Sequence, residues 1–339
     1  MFRLAAPMVV GVIAVLSVSL VDTYFVGKLG TDALAALAFT FPVTFTLSSL
    51  AIGLGAGAAS VLSRVLGAKD NHRARRLATD SLILAFLVVT VTCVGGFFSI
   101  RPVFALLGAS GPILDMIVRY MQIWFVSMPF LVIPMVSSAL IRAAGDAFWP
   151  SVIMVLAAVV NVVLTPAFVF GWGPIPRLEI EGAAIASLIA RATTLVFTLY
   201  LLTIREKLVT LRRPSLSESL ESWRAVLSVA IPAAAGNMIS PIAVGFVTAL
   251  LARYGPETVA AFGVGTRIEA FAAIPMLALS SAIGPVAGQN WGAQMPQRSL
   301  RALSVSFRVC LAWAAVLTAV FWFFGDTFAG LIASDERVR

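Results

Sequence analysis

Asp22 lies inside a run of apolar side chains that begins near Leu4. A carboxylate in that setting exchanges its proton only with whichever side of an apolar barrier reaches it, so it can bind a proton or a cation reversibly. It can equally be an interfacial Asp at a helix end, touched by water and headgroups. Its distance from Leu4, about 27 Å at the helical rise, fits both. Asn161 and Thr165 stand in another apolar run, spaced i and i+4, and so share one helix face beside Pro166, which loosens the backbone ladder. Two neutral oxygens of this kind suit proton or weak-cation binding next to a carboxylate, or plain hydrogen bonding between membrane helices. Arg191, Arg267 and Glu269 are further charges inside apolar runs, where a charge faces a cleft or belongs to a paired network. Arg267 and Glu269, two apart, point to different helix faces. Glu269 either attracts a cationic substrate or belongs to a structural network.

The residue sets of an enzyme are missing. His72 is the single histidine and sits among Arg73, Arg75 and Arg76, where it reads as solvated. Cys93 and Cys310 lie in separate apolar runs with neither metal-ligand spacing nor a disulfide context, and read as small packing residues. No nucleophile with a base and no metal cluster can be assembled, so neither catalysis nor a cofactor or metal is expected. Gly53-Leu54-Gly55-Ala56-Gly57 follows no strand and suits close helix packing, not phosphate binding. Trp124, Phe125, Trp149 and Trp172 fall near span ends and read as an aromatic belt.

These residues must be positioned by elements that live in lipid. Of 339 residues, 60% are hydrophobic and 12% charged, against about a quarter charged in a soluble domain. A hydrocarbon core about 30 Å thick needs about 20 apolar residues of helix, and nine stretches qualify: 4–26, 34–62, 78–100, 118–141, 151–171, 183–204, 225–252, 259–286 and 303–324. The expectation is an all-α polytopic membrane protein. The net charge of +8 would suit nucleic acid, but the basic residues sit in short connections between spans, facing an anionic leaflet. The expected partner is therefore the bilayer and no nucleic acid. With nine spans, 15 of the 24 Lys and Arg fall on the side of the N-terminus and 7 on the other, which places the N-terminus in the cytoplasm and the C-terminus outside.

Residues 205–224 form the longest polar connection and divide a first bundle, 1–204, from a second, 225–339. Shifting the chain by 225 residues aligns Leu4–Pro7 with Val229–Pro232, Gly30 with Gly255, Gly67-Ala68 with Gly292-Ala293, and Arg73 and Arg76 with Arg298 and Arg301. An even number of spans separates the copies, so this is a parallel repeat, one of the two kinds built into secondary transporters. Position 247, the partner of Asp22, is Val; a carboxylate required only by architecture would recur, which favours a functional Asp22. Residues 328–334 resemble 104–110, so the second copy stops as its fourth span begins. On this arithmetic nine of an expected twelve helices are present, and the chain is a fragment or truncated product of a protein of about 450 residues, two 225-residue copies.

The segments Val21–Gly30, Ala33–Ala36, Gly53–Ala58 and Ser63–Ala68, with Leu140–Asp146 and Arg267-Ile268-Glu269, resemble those of the multidrug and toxic compound extrusion (MATE) transporters, most of all the branch with the DNA-damage-inducible F-type proteins. The resemblance covers essentially the whole chain. It implies two six-helix bundles facing a central cleft in the inner membrane of a bacterial or archaeal cell. It also implies export of organic cations in exchange for protons or sodium ions, by a protein expected to be monomeric. It further implies a coupling site in the first bundle around Asp22, with Pro7 as the helix 1 proline, Asn161 as a site residue, and Ser138 and Ser187 at polar site positions. Thr165 stands where many relatives carry a second carboxylate, which favours protons over sodium. A flippase for lipid-linked precursors, from related families, would want several basic residues in the cleft, and Arg191 and Arg267 alone are available. A fragment without transport activity is the remaining alternative.

Overall fold

The computed structural model describes residues 2–172, 176–210, 215–254 and 256–332, and these form helices with no strand among them. In chain order they are α1 (Phe2–Gly27), α2 (Thr31–Gly67), α3 (Asn71–Leu106), α4 (Gly111–Ser127), α5 (Pro129–Ala144), α6 (Phe148–Phe170), α7 (Glu179–Tyr200), α8 (Leu216–Leu251), α9 (Pro256–Ala272), α10 (Ile274–Gly292) and α11 (Pro296–Ile332). Seven are single helices long and apolar enough to cross a membrane. Two further spans are bent pairs, α4 with α5 at 40° and α9 with α10 at 44°, giving up to nine among the described residues. The protein is an all-α polytopic membrane protein. Its outward faces are apolar, with Phe98 and Phe307 79% and 70% exposed, which water would not tolerate over so wide a surface.

The bends arise at prolines. Pro129 and Pro275 begin α5 and α10 and bring no N–H to the preceding helix. The expected single span over 118–141 is therefore two helices, reaching from Gly111 to Ala144. Leu140–Asp146 ends one helix and starts the next. Gly145 takes φ 106 as the C-cap of α5, a conformation open to glycine, and Asp146 Oδ1 accepts the free amides of Phe148 and Trp149 at 2.9 and 3.3 Å.

Helices α2, α3, α8 and α11 have 36 or 37 residues, about 54 Å of helix against a hydrocarbon core of about 30 Å. Their ends stand clear of lipid, and they carry Arg73, Arg75, Arg76, Arg224, Arg298, Arg301 and Arg308. Those arginines, expected in short connections, are thus on helix ends, because the helices outrun the membrane. Arg212, Arg213, Arg337 and Arg339 lie outside the described residues, as do residues 333–339 with the end of the 328–334 match. Of the connection 205–224, the chain past Leu201–Arg205 runs back along α3, where the Thr210 amide donates to Thr79 Oγ1 at 3.0 Å, and residues from Leu216 onward are already α8.

At this basic end α8 fastens to the earlier helices. Asp80 of α3, fully buried, accepts from Arg76 Nε at 3.1 Å and from Ser219 Oγ at 3.1 Å, while the Trp223 indole donates to its carbonyl at 2.9 Å. Outside this knot, Arg73 pairs with Glu221 at 2.8 Å on the surface. Below it α8 packs on the glycine-rich stretch of α2, where a Cβ on Gly53 or Gly57 would meet the Ala230 or Val226 carbonyl at 2.5 Å. Gln289 of α10 donates to the Ala143 carbonyl of α5 at 2.7 Å. Contacts between α8 and the first helices thin out toward the other end, and none of residues 235–248 is buried.

Candidate functional site

Asp22 on α1, Asn161 and Thr165 on α6, and Ser187 on α7 come together in one hydrogen-bonded chain. Thr165 Oγ1 lies 3.0 Å from Asp22 Oδ1 and 3.3 Å from Asn161 Oδ1, and Asn161 Nδ2 donates to Ser187 Oγ at 3.0 Å. Local sequence makes this possible in three ways. The i, i+4 spacing puts Asn161 and Thr165 on the α6 face that meets α1 and α7. Pro166 removes the amide that would bond the Val162 carbonyl within that same turn. Gly182 lets α7 approach α6, since a Cβ there would lie 2.5 Å from the Phe168 carbonyl. Asn161 and Thr165 are buried and Asp22 and Ser187 half-buried.

Arg191 stands one turn beyond Ser187 on α7. Its Nη1 donates to Ser127 Oγ at 2.6 Å and its guanidinium lies 5.6 Å from the centre of the Trp124 ring. Asp22 is near enough for the two charges to act on each other through space, and Tyr120 of α4 lies close by. The sequence marks Arg191 as a charge within a span, but Tyr120, Ser127 and Trp124 as its surroundings carry no sequence signal beyond the Tyr120–Trp124 spacing on α4. Two turns beyond Asp22, a cavity of about 230 Å³ opens among Leu29, Gly30, Asp32, Ala33, Met116, Glu179 and Ile180.

The remaining candidates fall elsewhere. Ser138, 9% exposed on α5, is outside the hydrogen-bonded chain. Pro7 lies inside α1, which is helical from Phe2 to Gly27. Glu269 is exposed on α9, and the side chain of Arg267 is outside what the structure describes. Trp124 and Phe125, expected in an aromatic belt, are 3% and 4% exposed, because the bent α4–α5 span places them in its interior. Trp149 and Trp172 are exposed, as is His72. Cys93 and Cys310 are unpaired, and the Cys93 thiol donates to the Phe125 carbonyl at 3.2 Å.

Chemically, the site offers one carboxylate, a hydroxyl, an amide and a second hydroxyl in series, with a guanidinium alongside. The chain as a whole is similar to known proteins. The MatE family model matches residues 7–167 and 232–339. The FAD transporter of Shewanella oneidensis is 39% identical over 338 residues, all of this chain and 75% of that protein. The multidrug export protein MepA of Staphylococcus aureus is 24% identical over all of this chain and 74% of its own. Among solved structures, the MATE transporter VcmN of Vibrio cholerae superposes with a TM-score of 0.93 at 27% identity, covering 99% of this chain and 76% of that one.

Proposed function

The chain belongs to the MatE family of membrane transporters, and from that premise we propose that it is a secondary antiporter exporting organic cations and drugs in exchange for protons bound at Asp22. The observation that carries this reading is the position of the Thr165 hydroxyl between Asp22 Oδ1 and Asn161 Oδ1, at 3.0 and 3.3 Å. A hydroxyl has one proton to donate and lone pairs to accept with. With Asp22 ionised, Thr165 donates to the carboxylate. With Asp22 protonated, the carboxyl donates to Thr165, which turns its own proton to Asn161 Oδ1. The Asp22 carboxyl thus has the Thr165 hydroxyl as its partner in both protonation states, whereas Asn161 Oδ1 accepts from Thr165 only when Asp22 is protonated.

Protonation from the outside removes a charge from between α1, α6 and α7 and reverses the hydrogen bonds that tie α1 to α6. Helix α1 then shifts against α6, with Pro7 as its weak point, and the substrate site in the first bundle is reshaped and releases its cation. Coupling requires that proton and substrate differ in their affinity for the two states, since a ligand binding both equally shifts nothing. Protons fit better than sodium because Thr165 adds a neutral oxygen where a second carboxylate would supply charge. In this reading residues 1–204 and 225–339 are the two bundles, Glu269 on the exposed face of α9 draws cations into the cleft, and the protein works as a monomer. Its N-terminus and basic end lie in the cytoplasm of a bacterial or archaeal cell, as the 15-to-7 distribution of Lys and Arg supports.

A second substrate reading is favoured by one finding: the relative at 39% identity is a FAD transporter, and FAD is an anionic dinucleotide. Proteoliposomes separate the two. An imposed proton gradient should drive uptake of the fluorescent cation ethidium, and Asp22→Asn should abolish it while leaving the protein monodisperse. Proton-driven movement of FAD with no movement of ethidium would transfer the site to the anionic substrate. Unchanged transport by Asp22→Asn would remove Asp22 from the mechanism, and transport driven only by sodium would reject the proton.

A further inference from the structure

Arg191 is not needed to hold the hydrogen-bonded chain together, yet it is anchored beside it. It stands at i+4 from Ser187 and so on the same face of α7. Its head is clamped from α4, by Ser127 Oγ at 2.6 Å and by the Trp124 ring at 5.6 Å. Both clamping residues are nearly inaccessible, and Ser127 is itself locked by donating to the Trp124 carbonyl at 2.7 Å. Among the described residues no carboxylate comes within ion-pair distance of Arg191, and Asp22 is the carboxylate near enough to act on it through space. A guanidinium keeps its charge at every pH a cell meets. Placed within a span, it is an expensive feature that architecture alone does not explain.

Among the described residues, the other groups facing Asp22 leave Arg191 as its one charged neighbour, Glu179 at the start of α7 being paired with Arg177 at 3.5 Å. Helix α6 presents Thr165 and Asn161, α4 presents Tyr120, and α10 has no charged residue. The charges of α2 are confined to Asp32 and Arg64 near its two ends, Arg119 of α4 is paired with Glu181 at 3.1 Å, and Asp115 of α4 with Arg101. The site therefore has two charge sums. Ionised Asp22 and Arg191 cancel, and protonated Asp22 leaves a net positive charge.

We infer that Arg191 is the specificity-determining residue of the exchange, a fixed positive charge that repels a cationic substrate once Asp22 is neutral and so makes release complete. This inference rests on the reading of Asp22 as the proton site. Without Arg191 the site would swing between negative and neutral instead of between neutral and positive. A cation would then bind more tightly in both states and leave slowly from the protonated one. An anionic substrate would respond in the opposite sense, since Arg191 would be its principal attraction.

The test uses the purified protein with ethidium as the probe, bound at equilibrium at pH 5.5 and pH 8, and carried in proteoliposomes at a fixed proton gradient. Arg191→Gln keeps a donor for Ser127, Arg191→Met removes it, and Arg191→Lys keeps the charge. The expected result is that Arg191→Gln and Arg191→Met bind ethidium at least fivefold more tightly at pH 5.5 and lower KM and kcat together, while Arg191→Lys stays close to the unaltered protein. A positional role without charge would give the same defect in Lys as in Gln, with no tightening at acid pH, and would overturn the inference. Weaker ethidium binding, or a loss of FAD binding with ethidium unchanged, would also overturn it. Asp22→Asn keeps the two failures apart. If it retains proton-driven transport, the underlying reading falls, and if it loses transport while Arg191→Gln fails to tighten binding, only the role of Arg191 falls.

Discussion

Replacing Asp80 by Ala removes the acceptor around which α3 and α8 are fastened. Asp80 is fully buried and takes hydrogen bonds from Arg76 at 3.1 Å and Ser219 at 3.1 Å. Breaking a buried ion pair by deleting one partner costs about 3–5 kcal/mol, because the other charge is left uncompensated. The Arg76 side chain is 13% exposed and lies at the basic end, so it can recover some hydration, which sets the expected loss near the lower figure, about 3 kcal/mol. The Arg73–Glu221 pair joins the same two helices with side chains 62% and 72% exposed, and a surface pair of that kind contributes under about 1 kcal/mol. Thermal unfolding in detergent, followed by circular dichroism, should show Asp80→Ala lowering the midpoint by roughly 5 °C or more, Asp80→Asn by less because it still accepts from Ser219, and Glu221→Ala by little. Equal shifts for Asp80→Ala and Glu221→Ala would refute the reasoning that burial, and not the number of links between α3 and α8, decides the strength of this contact.

Thr165→Val is nearly isosteric and removes the hydroxyl that serves both states of Asp22; proton-driven ethidium transport should fall at least tenfold with the protein still folded, and Thr165→Ser should restore most of it. Glu206, just beyond the seventh helix, has its carboxyl raised above the ordinary value by burial and by the Asp146 carboxylate, against the lowering effect of Arg205. Folding therefore favours its protonated form, and its contribution to stability is lost as pH rises from the ordinary carboxylate value through the raised one. Glu206→Gln should flatten that part of the stability–pH curve and raise the midpoint at neutral pH. Single cysteines report the orientation: in intact cells a membrane-impermeant thiol reagent should label a cysteine at Ser110 and spare one at Ser217, and the reverse pattern would invert the topology.

Much of the candidate site is legible in the sequence, because charge and amide groups within apolar runs are rare and the helical period says which of them share a face. That period pairs Asn161 with Thr165, and the structure brings Asp22 and Ser187 to them. Ser138 shows the limit, since its place on α5 depends on how the bent α4–α5 span rotates at Pro129. The same bend explains Trp124 and Phe125: a span taken to start at residue 118 puts them near an interface, whereas a helix beginning at Gly111 carries them into the interior. Asp80 was invisible for another reason. Four residues after Arg76 in a basic stretch, it looks like an ordinary solvated helix-end pair, and the Ser219 and Trp223 that bury it come from 139 and 143 residues further along. The surroundings of Arg191 were hidden likewise, because Ser127 lies 64 residues away on a different helix.

The central claim is that proton and substrate compete through Asp22. It is tested most directly by adding ethidium to the purified protein in weakly buffered detergent solution, near the pH at which half of its Asp22 is protonated, and recording the change in pH. Binding should release protons, and Asp22→Asn should bind ethidium without releasing any. Ethidium binding with no proton release from the unaltered protein, or equal release from Asp22→Asn, would contradict the claim.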